Sequence, residues 1–288
     1  DSSPTLSLGE HASRIRDLLA ALSWEAETAI TAYLSQRETL LADAAPEEDA
    51  AVGYLERVTS AEQEPRRRRA MLTNAIEAST RAGADVEARR SRAELGLVVE
   101  TADELATGLA QARATADEFM ADGEWLHAAA LLRLIGQFES DGPSAVAALR
   151  QSADCLLKDG STVRAGLTFL EASRRAGSIE ETEQLVDEAA RHVGDHPAGA
   201  SIAAQRWRLV ADRGELERAT AMVNDLLAQP GLHPKMVIAE RAALCNLLAD
   251  QARWEDLLPE AERLIEQARS LGDAVLLAFG QRTLGLVY

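Results

Sequence analysis

The stretch DAVLLAFGQRTLGLVY, residues 273–288, reads as one helix with Leu284, Gly285 and Tyr288 on a single face. A glycine between large apolar groups at helical spacing lets a neighbouring helix approach closely, so Gly285 is expected to be a contact point. The same pair recurs at Leu95 and Gly96, with Val99 in the place of the tyrosine, five steps of about 38 residues upstream. A period of that size marks an array of stacked helix pairs.

Working back from this helix, the apolar spacing and the Gly and Pro punctuation predict helices over 8–22, 24–43, 46–60, 66–82, 85–100, 102–121, 124–139 and 143–158. The pattern continues over 161–176, 178–193, 198–213, 215–229, 234–250, 253–271 and from 273 to the end. Breaks fall at Gly83, Gly123, Gly142 with Pro143, Gly160, Gly177, Gly194 with Pro197, Gly214, Pro230 with Gly231, and Gly272. Every second helix begins 36 to 39 residues after its predecessor, as helix pairs in register require. Gly123 with Trp125 and Ala128, and Gly160 with Ala165, also imitate a turn within a pair, which leaves a shift of one helix open in the middle of the array.

Composition agrees with stacked helices. The chain is 47% hydrophobic but only 4% aromatic, so close packing must come from small and unbranched side chains. The expected fold is all-α, a right-handed α-α superhelix or solenoid of about seven antiparallel helix pairs plus one unpaired helix. Divergent repeats occupy 1–84 and more regular ones 85–288. An unpaired final helix and a first residue other than methionine suggest an excised piece, truncated at its C-terminus, of a larger protein.

Leu284, Gly285 and Tyr288 match the first-helix signature of the tetratricopeptide repeat. Gly214, Glu215 and Leu216 with Ala219, and Arg253, Trp254 and Glu255, resemble its interhelix turn and second-helix alanine. The repeats exceed that family's usual length and look similar to the longer version found in the sensor regions of large bacterial signal-transduction ATPases and transcriptional activators. The resemblance implies a concave groove lined by first helices. With Gly285, Trp207, Gly136, Cys245 and Leu170 at the close-contact position, groove-facing residues become Leu286, Arg208, Gln137, Asn246 and Glu171, with Arg133 and Arg282 one turn earlier. Such a mixed polar stripe suits a protein or extended peptide, or a small polar effector. The Lys and Asn set of the family's two-carboxylate clamp is missing.

A formal charge of −17 repels nucleic acid and anionic membrane, so no direct nucleic-acid contact is expected. Four consecutive arginines, Arg66, Arg67, Arg68 and Arg69, form a basic patch suited to phosphate or an acidic partner, or else a solvated face neutralised by neighbouring carboxylates. Cys155 and Cys245 are too scattered for a disulfide framework or zinc site and read as buried thiols in a reducing, cytoplasmic setting. No apolar run is long enough to span a membrane. His192 and His196 have metal-like spacing, but Gly194 and Pro197 end the helix between them.

Glu47 and Glu48, Glu180 and Glu181, and Glu255 and Asp256 are typical of helix first turns, with no nucleophile, metal motif or phosphate-binding loop beside them. No cofactor and no catalysis are expected. Trp24, Trp125, Trp207 and Trp254 suit packing at helix breaks better than ligand stacking, Trp207 least clearly. These features point to a non-catalytic binding module, and the resemblance implies the regulatory or sensor part of a larger bacterial signalling or transcription-regulating protein. Alternatives are a free-standing adaptor or an enzyme with an inter-helix site.

Overall fold

A computed structural model describes Arg57 and residues 64–99, 101–194 and 196–287, and every regular element among them is an α-helix. The helices expected over 8–22, 24–43 and 46–60, together with Tyr288, lie outside the described residues. The rest follow the predicted ranges: α1 Pro65–Arg81, α2 Asp85–Leu95, α3 Ala102–Asp122, α4 Trp125–Phe138, α5 Gly142–Lys158 and α6 Thr162–Ser173. They continue as α7 Ile179–Val193, α8 Gly199–Asp212, α9 Leu216–Leu227, α10 Pro234–Asp250, α11 Trp254–Leu271 and α12 Ala274–Val287. Two compact units divide the chain between Asp159 and Gly160.

Local chemistry sets the helix ends. Thr101 and Glu104 form a capping box, each side chain accepting from the other residue's backbone N–H at 3.3 Å. The Asp141 carboxylate accepts from the Ser144 amide at 2.9 Å, and the Ser178 hydroxyl from the Glu181 amide at 3.1 Å. Pro65, Pro143 and Pro234 occupy first-turn positions, where the absent N–H has no intrahelical acceptor.

One tight turn recurs. A residue with positive φ is followed by one near φ −85° and ψ +60°, and the next helix starts at once: Gly123 with Glu124, Gly214 with Glu215, and Ala252 with Arg253 all show it. In the first unit this turn joins α3 to α4, whereas in the second it joins α8 to α9 and α10 to α11. The same local motif therefore falls one helix out of step between the units, which is the ambiguity that Gly123 and Trp125 raise in the sequence.

Packing in the first unit departs from the expected pairing accordingly. Helix α2 packs broadly on α1, and α4 packs on both α3 and α5, whereas the expected partners α2 and α3 meet over a small area. Helix α2 stops at Leu95, short of the expected residue 100, and α3 crosses its end: a Cβ on Gly108 would lie 2.0 Å from the Gly96 carbonyl oxygen. The Leu95 and Gly96 pair thus marks a close approach, made through a helix-terminal carbonyl. In the second unit α6 packs on α7, α8 on α9 and α10 on α11 as expected, and α12 lies against α11.

Fully buried alanines do much of the packing. Ala112, Ala116, Ala128 and Ala148 in the first unit, and Ala165, Ala189, Ala219 and Ala261 in the second, stand between larger groups such as Phe119, Leu132, Leu226 and Leu257. Gly136 and Gly280 act likewise, since an added Cβ would lie 2.6 Å from Leu149 and 2.7 Å from Ile265. Gly285 does not: it is exposed, with nothing within 4 Å of an added Cβ. Helix α12 meets α11 through the face bearing Gly280, and no described residue reaches Gly285.

Gly108→Ala and Gly136→Ala are expected to destabilise the protein by about 1–3 kcal/mol through overpacking, while Gly285→Ala leaves the urea midpoint unchanged. Ala252 occupies the left-handed region at φ +53°. Ala252→Gly should raise stability by about 0.5–1 kcal/mol, measurable in the same urea titrations.

Candidate functional site

In the second unit, α6, α8, α10 and α12 alternate with α7, α9 and α11. Glu171, Arg208, Asn246 and Arg282 each come from one helix of the first set. Asn246 and Arg282 are exposed, and neither hydrogen-bonds nor pairs with another described residue. Glu171 is half-buried and engaged. The side chain of Leu286 lies outside what is described. In the first unit, Arg133 and Gln137 stand exposed one turn apart on α4.

Arg208 is no freely solvated side chain. Its guanidinium donates to Glu240 Oε1 at 2.8 Å and lies over the Trp207 ring, 4.6 Å from the centroid. The Trp207 indole N–H donates to Glu240 Oε2 at 2.7 Å. Both carboxylate oxygens are therefore engaged, which suits a side chain only 4% exposed. Trp207 is buried and ties α8 to α10, so its role is packing together with one polar bond. Arg208 keeps 39% of its side chain exposed and is held in place from behind by Glu240 and Trp207.

The interior-facing position of Glu240 has no signature in the sequence beyond its place in the helical period, and neither has a second buried carboxylate. Glu94 on α2 is buried and accepts at one oxygen from Arg90 Nε at 2.7 Å and from Arg57 at 3.3 Å. Burial alone would raise its pKa, but the Arg90 and Arg57 guanidinium groups more than reverse that and hold it below the ordinary carboxylate range.

His127, on α4, has its Nε2 3.8 Å from Glu87 and its ring centroid 5.6 Å from that of Phe119. Burial, reinforced by Arg90 and only partly offset by Glu87, pushes its pKa down to about 4.

The basic run is dispersed. Arg69 donates to the Val98 carbonyl at 2.7 Å, and Arg68 lies 5.6 Å from the centre of the Phe138 ring. Arg66 and Arg67 are exposed, without a partner among the described residues. Nearby, Arg89 pairs with Asp122 at 3.1 Å. Much of this basic region serves to join helices.

The remaining candidates are structural. His192 bonds Glu188 at 3.2 Å and stacks on Phe169, whereas His196 caps the following turn by accepting from the Ala198 amide. Glu181 accepts from the Gly177 amide, and Asp256 pairs with Arg253 at 2.6 Å, as first-turn carboxylates do. Cys155 and Cys245 are buried free thiols, and burial, with the Glu260 carboxylate nearby, pushes Cys245 up to about 12. Trp125 packs under Lys158 at 4.3 Å, and Trp254 is 43% exposed. Among the described residues no acidic, histidine or cysteine cluster has metal-binding geometry, and no helix is long and apolar enough to cross a membrane.

No protein-family profile and no curated protein matches the chain. Among solved structures, the assembly chaperone of RpL4 (Acl4) is 17% identical, with 97% of each chain covered and a TM-score of 0.36. A circular tandem repeat protein with novel repeat topology is 15% identical over 97% of this chain and 81% of its own, with a TM-score of 0.22. Likenesses this distant bear on neither activity nor partner.

Arg208→Glu should destabilise the second unit by about 1.5–3 kcal/mol, since it sets a second carboxylate against buried Glu240. Urea unfolding measures it. His127 is neutral when folded and titrates near its ordinary 6.5 when unfolded, so the unfolded chain binds more protons between these values. Stability is complete above pH 6.5 and falls as the pH drops toward 4. Glu94 adds a further loss below that as it protonates. His127→Leu should flatten the upper part of this dependence, read from melting temperatures between pH 7.5 and 4.

Proposed function

We propose that the chain is a non-catalytic helical-repeat module that binds a protein or extended peptide along α8, α10 and α12 of its second unit. It would serve as the regulatory or sensor part of a larger bacterial signalling or transcription-regulating protein. The observation that carries the binding reading is Arg208, whose guanidinium is half-exposed yet held by buried Glu240 and by Trp207. Ordering a long side chain before contact lowers the entropic cost of binding, and a buried hydrogen-bonded anchor is one way to achieve it. Asn246 and Arg282 supply further donors on the neighbouring helices, and Ala239, Ala243 and Ala278 leave room for a backbone to lie close. The regulatory role is supported by the long repeat, whose style resembles bacterial sensor regions.

The test is retention of partners from native lysate by the wild-type chain beside an Asn246→Trp, Ala278→Trp variant, which obstructs the face at two exposed positions. Partners lost from the variant, with helicity and melting temperature unchanged, are expected. Equal retention by both would remove this face from the binding site.

A further inference from the structure

The described part of the first unit divides into two blocks joined by a narrow seam. Helix α1 packs broadly on α2, and α4 packs broadly on α3 and α5, whereas α2 meets α3 and α4 over small areas. Much of what crosses this seam is polar. Arg89 on α2 pairs with Asp122 and Glu118 on α3, at 3.1 and 3.7 Å, and lies over the Phe119 ring, 4.9 Å from its centroid. Arg68 on α1 reaches the Phe138 ring on α4, and the Gly96 carbonyl abuts Gly108. His127 on α4 belongs to the same seam. Its ring packs against Phe119, its Nε2 faces Glu87 on α2 at 3.8 Å, and its Nδ1 is buried with no hydrogen-bond partner among the described residues.

The charges that act on this ring are Glu87, Arg90 and Glu94 on α2 and the Arg57 guanidinium, which bonds Glu94; α3 presents the uncharged Phe119, and Glu124 precedes the ring by one turn on its own helix. Two cations and two anions cancel, so an imidazolium would add an uncompensated buried charge, with an N–H at Nδ1 that finds no acceptor. We infer that the seam between the α1–α2 block and the α3–α5 block is an acid-opened latch, with His127 as its proton sensor. Separating the blocks gives the imidazolium to water, and each block keeps its own broad helix contacts, so opening leaves both folded. The closed ring is held down to about 4 by burial, against an ordinary 6.5 when exposed, so the open form takes up the proton first and acid favours it. Between pH 7.5 and 5.5 the opening equilibrium shifts about tenfold toward the open form. The second unit has no counterpart among its described histidines. His192 bonds Glu188 on its own helix, and His196 and His233 each accept a backbone amide two residues on. The latch is therefore independent of the binding face in that unit.

The test is hydroxyl-radical footprinting of the whole chain at pH 7.5, 6.5 and 5.5, read residue by residue by mass spectrometry. Phe119, fully buried beside His127, reports the seam; Leu149, buried against Gly136 within the α4–α5 contact, reports the block; and buried Trp207 reports the second unit. Oxidation of Phe119 is expected to rise about tenfold from pH 7.5 to 5.5, while Leu149 and Trp207 stay protected. The His127→Gln chain, neutral at that position throughout, should hold Phe119 at its level for pH 7.5, with circular dichroism checking its fold. A wild-type Phe119 that ignores pH would overturn the latch. So would Leu149 or Trp207 rising together with Phe119, which would mean unfolding in place of a local opening. These two wild-type readings decide the matter whether or not the variant folds. The same rise in a folded His127→Gln chain would assign the proton to another group and remove His127 as the sensor.

Discussion

Close approach between helices at alanine and glycine is the constraint on which the rest of this structure depends. With only 4% aromatic residues, the chain cannot build a core from large rings spaced widely. It packs through fully buried alanines and through Gly108, Gly136 and Gly280, where a single added methyl would strike a neighbour. Dispersion contacts at short separation take the place of bulk, and each helix relies on its neighbours in sequence to supply them.

Such a core has little room for polar groups; some that enter it are closely matched, while the Ser79 and Ser91 hydroxyls, His127 Nδ1 and Gln251 Oε1 are buried without a hydrogen-bond partner among the described residues. Glu240 is satisfied at both oxygens by Trp207 and Arg208, Glu94 lies among arginines, and the Gln251 amide bonds Thr220 and two backbone carbonyls. These groups tie helices whose apolar contact is otherwise modest, α8 to α10 and α9 to α10. They add directionality to a surface of small side chains that could otherwise slide. The anchor that joins α8 to α10 also sets the orientation of Arg208, so scaffold and proposed binding face share one network.

The charge of the molecule has two scales. Globally it is strongly acidic, with a formal net charge of −17. Locally, the acidic residues of the second unit concentrate on α7 and α11, with five on each helix, and some of them consume arginines of the alternate helices in cross-layer pairs. Beyond roughly a Debye length the sum matters, and within it the arrangement does.

Helix positions were legible from the sequence because they follow from local rules: apolar period, proline at first turns and glycine after last turns act over a few residues. That is why the expected ranges from 66 onward agree so closely with the structure, apart from α2, whose end is set by its crossing with α3. Partner choice between helices was legible only in part, since the turn at Gly123 and the turn at Gly214 are alike locally and differ only in which helices they join. The exposed positions of Asn246 and Arg282 were expected only through the tetratricopeptide resemblance. Tertiary structure alone decided that Arg208 is anchored, that Gly280 makes the contact with α11, and that Glu94 and Glu240 turn inward. Each of these depends on residues tens of positions away brought within a few ångströms, and no local pattern records which carboxylate will find its guanidinium.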